Sequence, residues 1–507
     1  MKKYKLFSLT VLIFSGAVFM QSYAQSAYEA FKYGNTMSQS TARGIGIGGA
    51  LGSIGGDISS ITVNPAGIGV YRSSELTISP ALQFSSMQSQ YLNEAANANN
   101  SRFVLGSIGY VTTYAPRGEA YKNSKMKALS LGLTYNRVAD FNEKQYFTGL
   151  NSESSITDIF SADAIAYGVN SDIQPPLGFF GYEGFLLYDD LSSIPRHTIL
   201  DQGGALRQSR EKRQIGGINE FGLTIGGNYN EKVLFGIGLN FLNYKYEHNY
   251  TFIEEDATGN NNNDFDHLVY NDDFESMGLG FNMKFGTTII PNDNFRIGLA
   301  VHTPTWAAFE ERAYYNLFTN TENLKYDTGQ SSTNPNTNVS PDYPYDFNYN
   351  LRTPWRAVVS AAAILGKSGF ITADYEFTDY TSMKYSGSGG NAAFFQEVNS
   401  VIKDYYQGAH SIRLGAEGRI NQFFGRLGVG YMSNPFTDKT INNGEQMHYT
   451  AGFGYRSGGF GIDLGYMLLQ RKQNEYAYPL LASNIPVGIV EMKQFKNMVA
   501  LTLSMKF

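Results

Sequence analysis

The chain has 507 residues, 17% of them charged and 14% aromatic, with 36 Tyr, 35 Phe and a net charge of −6. That is less charge than the ~25% of an average soluble protein, and the tyrosines suit a boundary between hydrocarbon and water. The negative balance argues against nucleic acid, and the lack of any cysteine excludes disulfides, thiolate metal sites, a cysteine nucleophile and a lipoprotein anchor.

Lys2, Lys3 and Lys5 precede a mostly apolar run from Leu6 to Met20, and Ser22-Tyr23-Ala24 ends it with small residues. This is the pattern of an export signal, residues 1–24, with cleavage expected after Ala24. The run is shorter than the ~20 residues of a helical span, and no later segment reaches that length without charge. An exported chain of amphipathic strands with no helical span belongs in an outer membrane. Residues 25–72 differ from all that follows. Ser26–Ser40 is polar and suits a short helix, and the stretch from Thr41 to Arg72 is rich in glycine. A segment this small cannot bury a core of its own, so it must pack inside something else.

From Ser73 the pattern changes to strands. Fourteen candidates lie at 74–86, 102–114, 126–139, 217–229, 232–246, 274–290, 295–303, 353–365, 369–380, 410–420, 423–431, 446–455, 459–469 and 495–507. In the last one Val499, Leu501, Leu503, Met505 and Phe507 face one way and Ala500, Thr502, Ser504 and Lys506 the other. Phe235, Ile237, Leu239 and Phe241 likewise oppose Gly236, Gly238 and Asn240. Apolar out and small or polar in, repeated this often, predicts an all-β, 14-stranded antiparallel transmembrane β-barrel over residues 73–507, its glycine-rich N-terminal segment lodged in the lumen. Short turns alternate with long connections at 140–216, 247–273, 304–352, 381–409, 432–445 and 470–494. Bacterial barrels keep short turns in the periplasm and long loops outside, which puts both termini on the periplasmic side.

Two of the long loops stand out. Residues 172–191 gather Leu177, Phe179, Phe180, Phe185, Leu186 and Leu187, which suits either first capture of an apolar ligand or a loop core folded over the barrel mouth. Residues 254–273 are acidic and asparagine-rich but lack the spacing of an ordered calcium loop, so a solvated loop is expected.

Gly44-Ile45-Gly46-Ile47-Gly48-Gly49 fits a dinucleotide fingerprint, but no strand precedes it and no βαβ unit surrounds it; close backbone packing of a plug explains the glycines better. The histidines, at 197, 248, 267, 302, 410 and 448, sit in no metal or hydrolase motif. A barrel enzyme would have to assemble a surface serine and histidine, for instance with His448. No catalytic residues, metal site or cofactor are expected. The inward-facing Arg413, Arg419, Arg426 and Arg456 suit a ligand carboxylate or, more prosaically, pairing with Glu417 and Asp463 in a wet lumen.

Asn64-Pro65-Ala66 within Ser59–Tyr71, then Thr353-Pro354-Trp355-Arg356, GFITADYEFTDYTSMKY, HSIRLGAEGRI and RLGVGYMSNPF together make the chain resemble the FadL/TodX family of outer-membrane transporters. The resemblance spans nearly the whole chain after the signal. It implies a hatch over residues 25–72 with Asn64, Pro65 and Ala66 as its motif, and passive, downhill transport of hydrophobic compounds such as long-chain fatty acids. Ligand would be captured by the outer loops, held in an apolar pocket above the hatch and released sideways at the third strand, where KALSLGLTYNRV shows no insertion or bulge to place the gap. The expected partners are a hydrophobic small molecule, outer-membrane lipid and lipopolysaccharide, and the barrel-assembly machinery acting on the strand that ends at Phe507, with a monomeric protein. The alternative is a barrel that transports nothing and serves as a surface adhesin or structural protein.

Overall fold

The computed structural model describes residues 29–37, 41–172, 175–187, 198–322, 324, 336–387, 392–438, 443–479 and 485–507. The expected export signal lies outside the described residues.

Backbone groups facing lipid have no water to bond, so a spanning sheet must close on itself. This one does. The wall begins with β1 (Glu75–Tyr91) and β2 (Glu94–Tyr114) and ends with β19 (Ile489–Lys506), which pairs back onto β1 from Glu75↔Lys506 to Gln90↔Glu491. Fourteen antiparallel wall strands lie between these limits, four of them made of two segments in line. The third is β3 (Met126–Asp140) followed by β4 (Glu143–Asn151). The fourth to sixth are β5 (Leu206–Tyr229), β6 (Val233–Asp256) and β7 (His267–Asn292). The seventh joins β8 (Phe295–His302) to β9 (Trp306–Asn320), which also pairs with the short β10 (Asn336–Val339). The eighth joins β11 (Tyr345–Arg352) to β12 (Arg356–Ile364), and the ninth β13 (Gly369–Asp379) to β14 (Lys384–Ser386). The circuit is completed by β15 (Gly408–Ile420), β16 (Phe423–Met432), β17 (Gln446–Ser457) and β18 (Phe460–Tyr476).

Alternation decides which face is outside. Ile237, Phe241, Leu279 and Leu501 are exposed, while Thr224, Asn240, Ala500 and Thr502 are buried. The breaks in the wall strands have local causes. Proline cannot donate to a ladder, so β8–β9 breaks at Pro304 and β11–β12 at Pro354, and the two breaks bond each other through Thr353 N–H to Thr305 O at 3.0 Å.

Several strands are longer than predicted. Residues 87–101 belong to a hairpin that turns at Leu92 and Asn93, both at positive φ. Wall strand continues through 206–216, 247–256, 267–273 and 489–494, all placed in loops by sequence. These segments lack an apolar outer face, as in Arg210-Glu211-Lys212-Arg213, and where they alternate the apolar side chains, such as Tyr250, Phe252, Val490 and Met492, turn inward; past the lipid a ladder needs only its partner's backbone. The turn between β2 and β3 carries α4 (Glu119–Asn123), and the loops at the opposite end carry α5 (Ile156–Tyr167), α6 (Leu177–Glu183), α7 (Thr198–Asp201) and α8 (Ala392–Tyr405).

The N-terminal segment fills the bore. It comprises α1 over 29–34, α2 (Ala42–Gly46), α3 (Ser60–Val63) and a 3-10 turn, Pro65–Val70. Gly48 and Gly49 of the fingerprint-like run take φ of 67° and 74°, so they serve backbone turning within the plug. No nucleotide fold surrounds them.

Candidate functional site

The hatch is seated glycine by glycine. A Cβ at Gly236 of β6 would overlap the Pro65 carbonyl, one at Gly298 of β8 the Gly52 carbonyl, and one at Gly286 of β7 the Asn64 side-chain oxygen. Asn64 itself is 1% exposed. Its amide nitrogen donates to Gly52 O at 2.6 Å and Thr287 O at 3.2 Å, and its oxygen accepts from Ala66 N–H at 3.0 Å. One side chain therefore folds the 3-10 turn back on itself and pins it to the wall.

The four arginines expected in the lumen do not form one site. Arg426 is fully buried, with Nε 2.6 Å from Glu417 and Nη1 2.8 Å from Asp463. Arg456 joins Asp463 at 2.8 Å, and Arg43 of α2 reaches Glu417 at 2.9 Å. Arg413 pairs with Glu376 at 2.8 Å. Arg419 is exposed and donates to Asn421 O at 2.9 Å. Arg413, Arg426 and Arg456 are thus held by carboxylates of the protein, and Arg43, which sequence reasoning missed, ties the plug into the same network.

Above the hatch, the place expected for an apolar pocket is filled by the chain. Phe31 and Tyr33 of α1 are buried among aromatic side chains of the wall and loops, in a cluster with Tyr244, Phe309, Tyr349, Tyr380, Tyr406 and Phe436. Beside α1 lies a cavity of about 240 Å³ whose lining mixes charged side chains with apolar ones such as Phe141, Met467 and Leu469. Glu143 in its lining meets Arg471 at 3.1 Å, and Asp140 meets Lys496 at 3.5 Å. The other face of the cavity is the third wall strand at its break, from Ala139 to Glu143.

That break interrupts the ladder of the wall. The β2–β3 ladder stops at Ser107↔Asn136. Beyond it β4 pairs with β5 alone, from Glu143↔Gln214 to Asn151↔Leu206, so residues 94–106 of β2 have ladder partners only on β1, while the Arg102 side chain reaches Asn142 Oδ1 and Glu94 meets Arg207 at 3.2 Å. The irregularity lies on both strands: Val138 is an extra residue of β3 between Arg137↔Asn219 and Ala139↔Ile218. Gly216 of β5 takes φ 116°, and its carbonyl accepts from Phe141 N–H at 3.1 Å and from Arg137 Nη2 at 2.6 Å. Asp140 then bonds the Asn142 amide at 3.1 Å and turns the chain.

The apolar loop residues close the mouth. Leu177, Phe180 and Leu186 are buried against Phe147, Tyr270 and Leu317, with Phe179 partly buried beside them. Leu187 is also buried and Phe185 half-buried. None forms an exposed patch: they are the core of a cap. Helix α5 is anchored by Glu254 of β6, which accepts from Ser155 Oγ at 2.6 Å and Ile156 N–H at 2.9 Å. Asp163 of α5 accepts from Gly178 N–H of α6 at 2.7 Å, and burial pushes its carboxyl up to about 6. The acidic loop is exposed through Asn260, Asn261 and Asn262, and among the described residues no cluster of acidic or histidine side chains is placed to hold a metal.

His448 does not lie on the outer surface, where a barrel hydrolase would need it. It is buried in the lumen, with Nε2 3.1 Å from the Gly48 carbonyl. His302 similarly meets Val63 O at 2.9 Å. His197 lies outside the described residues.

No protein-family model and no curated protein sequence matches the chain. Solved structures do. The chain is similar to a Pseudomonas aeruginosa FadL homologue at TM-score 0.54 and 12% identity, over 93% of this chain and 99% of that one. It is similar to the Ralstonia pickettii toluene transporter TbuX at TM-score 0.51 and 14% identity, over 92% and 98% of the two chains. A deltaS2 mutant of the TodX monoaromatic hydrocarbon channel matches at TM-score 0.51 and 11% identity, over 93% and 99%. The fold is that of FadL-type channels, a plugged fourteen-stranded barrel like those of bacterial outer membranes.

Proposed function

We propose that the chain is a member of the FadL/TodX family, exported by residues 1–24, and a passive outer-membrane channel for hydrophobic small molecules such as long-chain fatty acids or aromatic hydrocarbons. The observation that carries this reading is the lost ladder between β2 and β4, which borders the cavity beside α1. A hydrophobic molecule crosses the polar outer leaflet poorly but partitions readily into hydrocarbon, so it gains by leaving through a wall opening into lipid. No energy source beyond that affinity is needed. Ligand must bind the hatch-open state better than the closed one for the plug to act as a gate. The cap built on Leu177, Phe180 and Leu186 has to move before it can serve capture.

The C-terminal strand ending at Phe507 is the segment offered to the barrel-assembly machinery, and the protein works as a monomer in lipid and lipopolysaccharide. The test is uptake of a labelled hydrophobic solute by intact cells carrying the full chain or a deletion of the hatch, 25–72. A change in uptake is expected. If deletion alters only the binding of a partner at the cell surface, the protein is an adhesin. Mass spectrometry of what co-purifies with the wild type and with Asn64→Ala identifies the ligand class.

A further inference from the structure

We propose that Arg102 of β2 bolts the interrupted ladder, and that it is the group by which this exit selects amphiphiles carrying a carboxylate. The proposal rests on the channel reading and adds to it a residue that sorts the ligands. Arg102 shares its side of β2 with the buried Ala98 and Val104, yet it is exposed, in the part of β2 whose ladder partners lie only on β1. Its side chain crosses to the turn between β3 and β4, where Nη1 donates to Asn142 Oδ1. That amide is fixed from behind. Asn142 Nδ2 donates to both carboxylate oxygens of Asp140 at 2.8 Å, which leaves Oδ1 for Arg102. The same turn lines the cavity beside α1 through Asp140, Phe141 and Glu143. A molecule passing from the cavity toward lipid at this break therefore meets the Arg102–Asn142 bond.

What sets Arg102 apart is its partner. Arg137, Arg210, Arg413, Arg426 and Arg471 each hold a carboxylate of the protein. Arg102 holds a neutral amide, and no ion pair among the described residues includes it. Asp140 is already taken, by Arg137 at 2.7 Å and Lys496 at 3.5 Å. The depth of Arg102 makes this arrangement costly. Leu82, Phe84 and Phe103 are exposed on the outward side beside it, whereas Gln88, Gln90, Asn97 and Asn99 take that side further out. Arg102 thus lies at the outer margin of the apolar band, and charged groups at membrane depth are expensive and almost always paired. A carboxylate meets a guanidinium with opposite charge and two parallel N–H···O bonds, where an amide oxygen brings no charge. An arriving carboxylate therefore takes Arg102 from Asn142, and its acyl chain follows between β2 and β4 into lipid. An alcohol of the same length cannot make that exchange and passes only when the bolt opens by itself. The Glu94–Arg207 pair spans the same gap at 3.2 Å with both side chains partly exposed, so it adds little to closure.

The experiment is uptake of labelled dodecanoate and dodecanol at neutral pH by intact cells carrying the full chain, less the uptake of cells without it. The ratio of the two rates cancels differences in the amount of folded protein. Arg102→Gln keeps a donor for Asn142 but loses the charge, and should lower the dodecanoate-to-dodecanol ratio about tenfold. Arg102→Lys keeps the charge and should restore most of that ratio, which a merely structural role would not do. A ratio unchanged in Arg102→Gln, whether both rates hold or both fall together, overturns the proposal and leaves the channel standing. An equal fall in Arg102→Lys overturns it too. Wild-type cells that take up neither solute faster than cells without the protein overturn the channel reading itself.

Discussion

Replacing Asn64 by Ala should loosen the hatch without melting the barrel. The side chain is buried, and its loss leaves the Gly52 carbonyl and the Ala66 N–H without these partners. Each buried group left unsatisfied costs about 1–3 kcal/mol, so the hatch should lose about 2–6 kcal/mol against opening. At 1.4 kcal/mol per factor of ten, the open fraction should rise by roughly 30-fold to 20,000-fold. The readout is exchange of the amides that Asn64 organises, Asn64 N–H to Ser60 O at 2.8 Å and Gly67 N–H to Asn64 O at 3.0 Å. The heat needed to unfold the barrel in detergent should stay the same, because the wall ladders do not involve this side chain. Gly286→Ala attacks the same contact from the other side, since its Cβ would overlap Asn64 Oδ1. The two changes should therefore be strongly non-additive, Gly286→Ala costing less in the Asn64→Ala background than alone. Additive costs, or hatch amides that keep wild-type exchange in Asn64→Ala, would refute the seating described here.

On the outward face, Ile237→Arg should cost the barrel about 2–4 kcal/mol in urea-driven unfolding from vesicles if Ile237 lies near the bilayer midplane, since this side chain is exposed on the apolar face. Arg426→Ala should cost about 3–5 kcal/mol in the same assay because it strips Glu417 and Asp463 of a fully buried partner. Arg419→Ala, at an exposed position, should change stability by less than about 0.5 kcal/mol. The cap should loosen as pH rises. Asp163 has its folded pKa raised from 3.8 to about 6, so between these values the unfolded cap has lost a proton that the folded cap keeps, and stability falls by about 3 kcal/mol across the window. Protection factors of residues 156–172 and 175–183, corrected for the intrinsic pH dependence of amide exchange, should thus be higher at pH 4 than at pH 7, and Asp163→Asn, which keeps an acceptor for Gly178 N–H, should remove the difference.

The barrel was legible because each wall strand carries its own evidence. Val499, Leu501 and Met505 alternate with Ala500, Thr502 and Ser504 whatever the rest of the chain does, and this period survives without knowledge of any partner. The pairing of Arg426 with Glu417 and Asp463 was within reach for the same reason, since inward-facing charges on neighbouring strands meet across short distances. The upper parts of the strands were missed because Arg210-Glu211-Lys212-Arg213 carries no apolar period once lipid is left behind. The plug's inner helix was expected within Ser26–Ser40, but its role in the core was not: Phe31 and Tyr33 sit in SAYEAFKYGN, where polar neighbours hide two rings that only the lumen makes apolar.

The interrupted ladder shows why such a site resists reading from one strand. KALSLGLTYNRV reads as a regular strand, yet β3 carries register shifts at Lys127 and Val138, and the other half of the irregularity comes from β5, where Gly216 and Gly217 interrupt the run from Arg210 to Tyr229. Gly216 at φ 116° has no room for a Cβ against the Lys245 carbonyl, and its own carbonyl turns to meet Phe141. A paired glycine inside a strand pattern marks a bulge or a close backbone approach, so the signal was present one strand away from where it was sought. The hatch seat follows the same logic over greater distance: Gly236 and Gly298 look like ordinary inner-face small residues until Pro65 and Gly52, more than a hundred residues earlier in the chain, are laid against them. What a glycine accommodates in this barrel is decided by the backbone opposite, and the interrupted ladder and the plug are both properties of pairs.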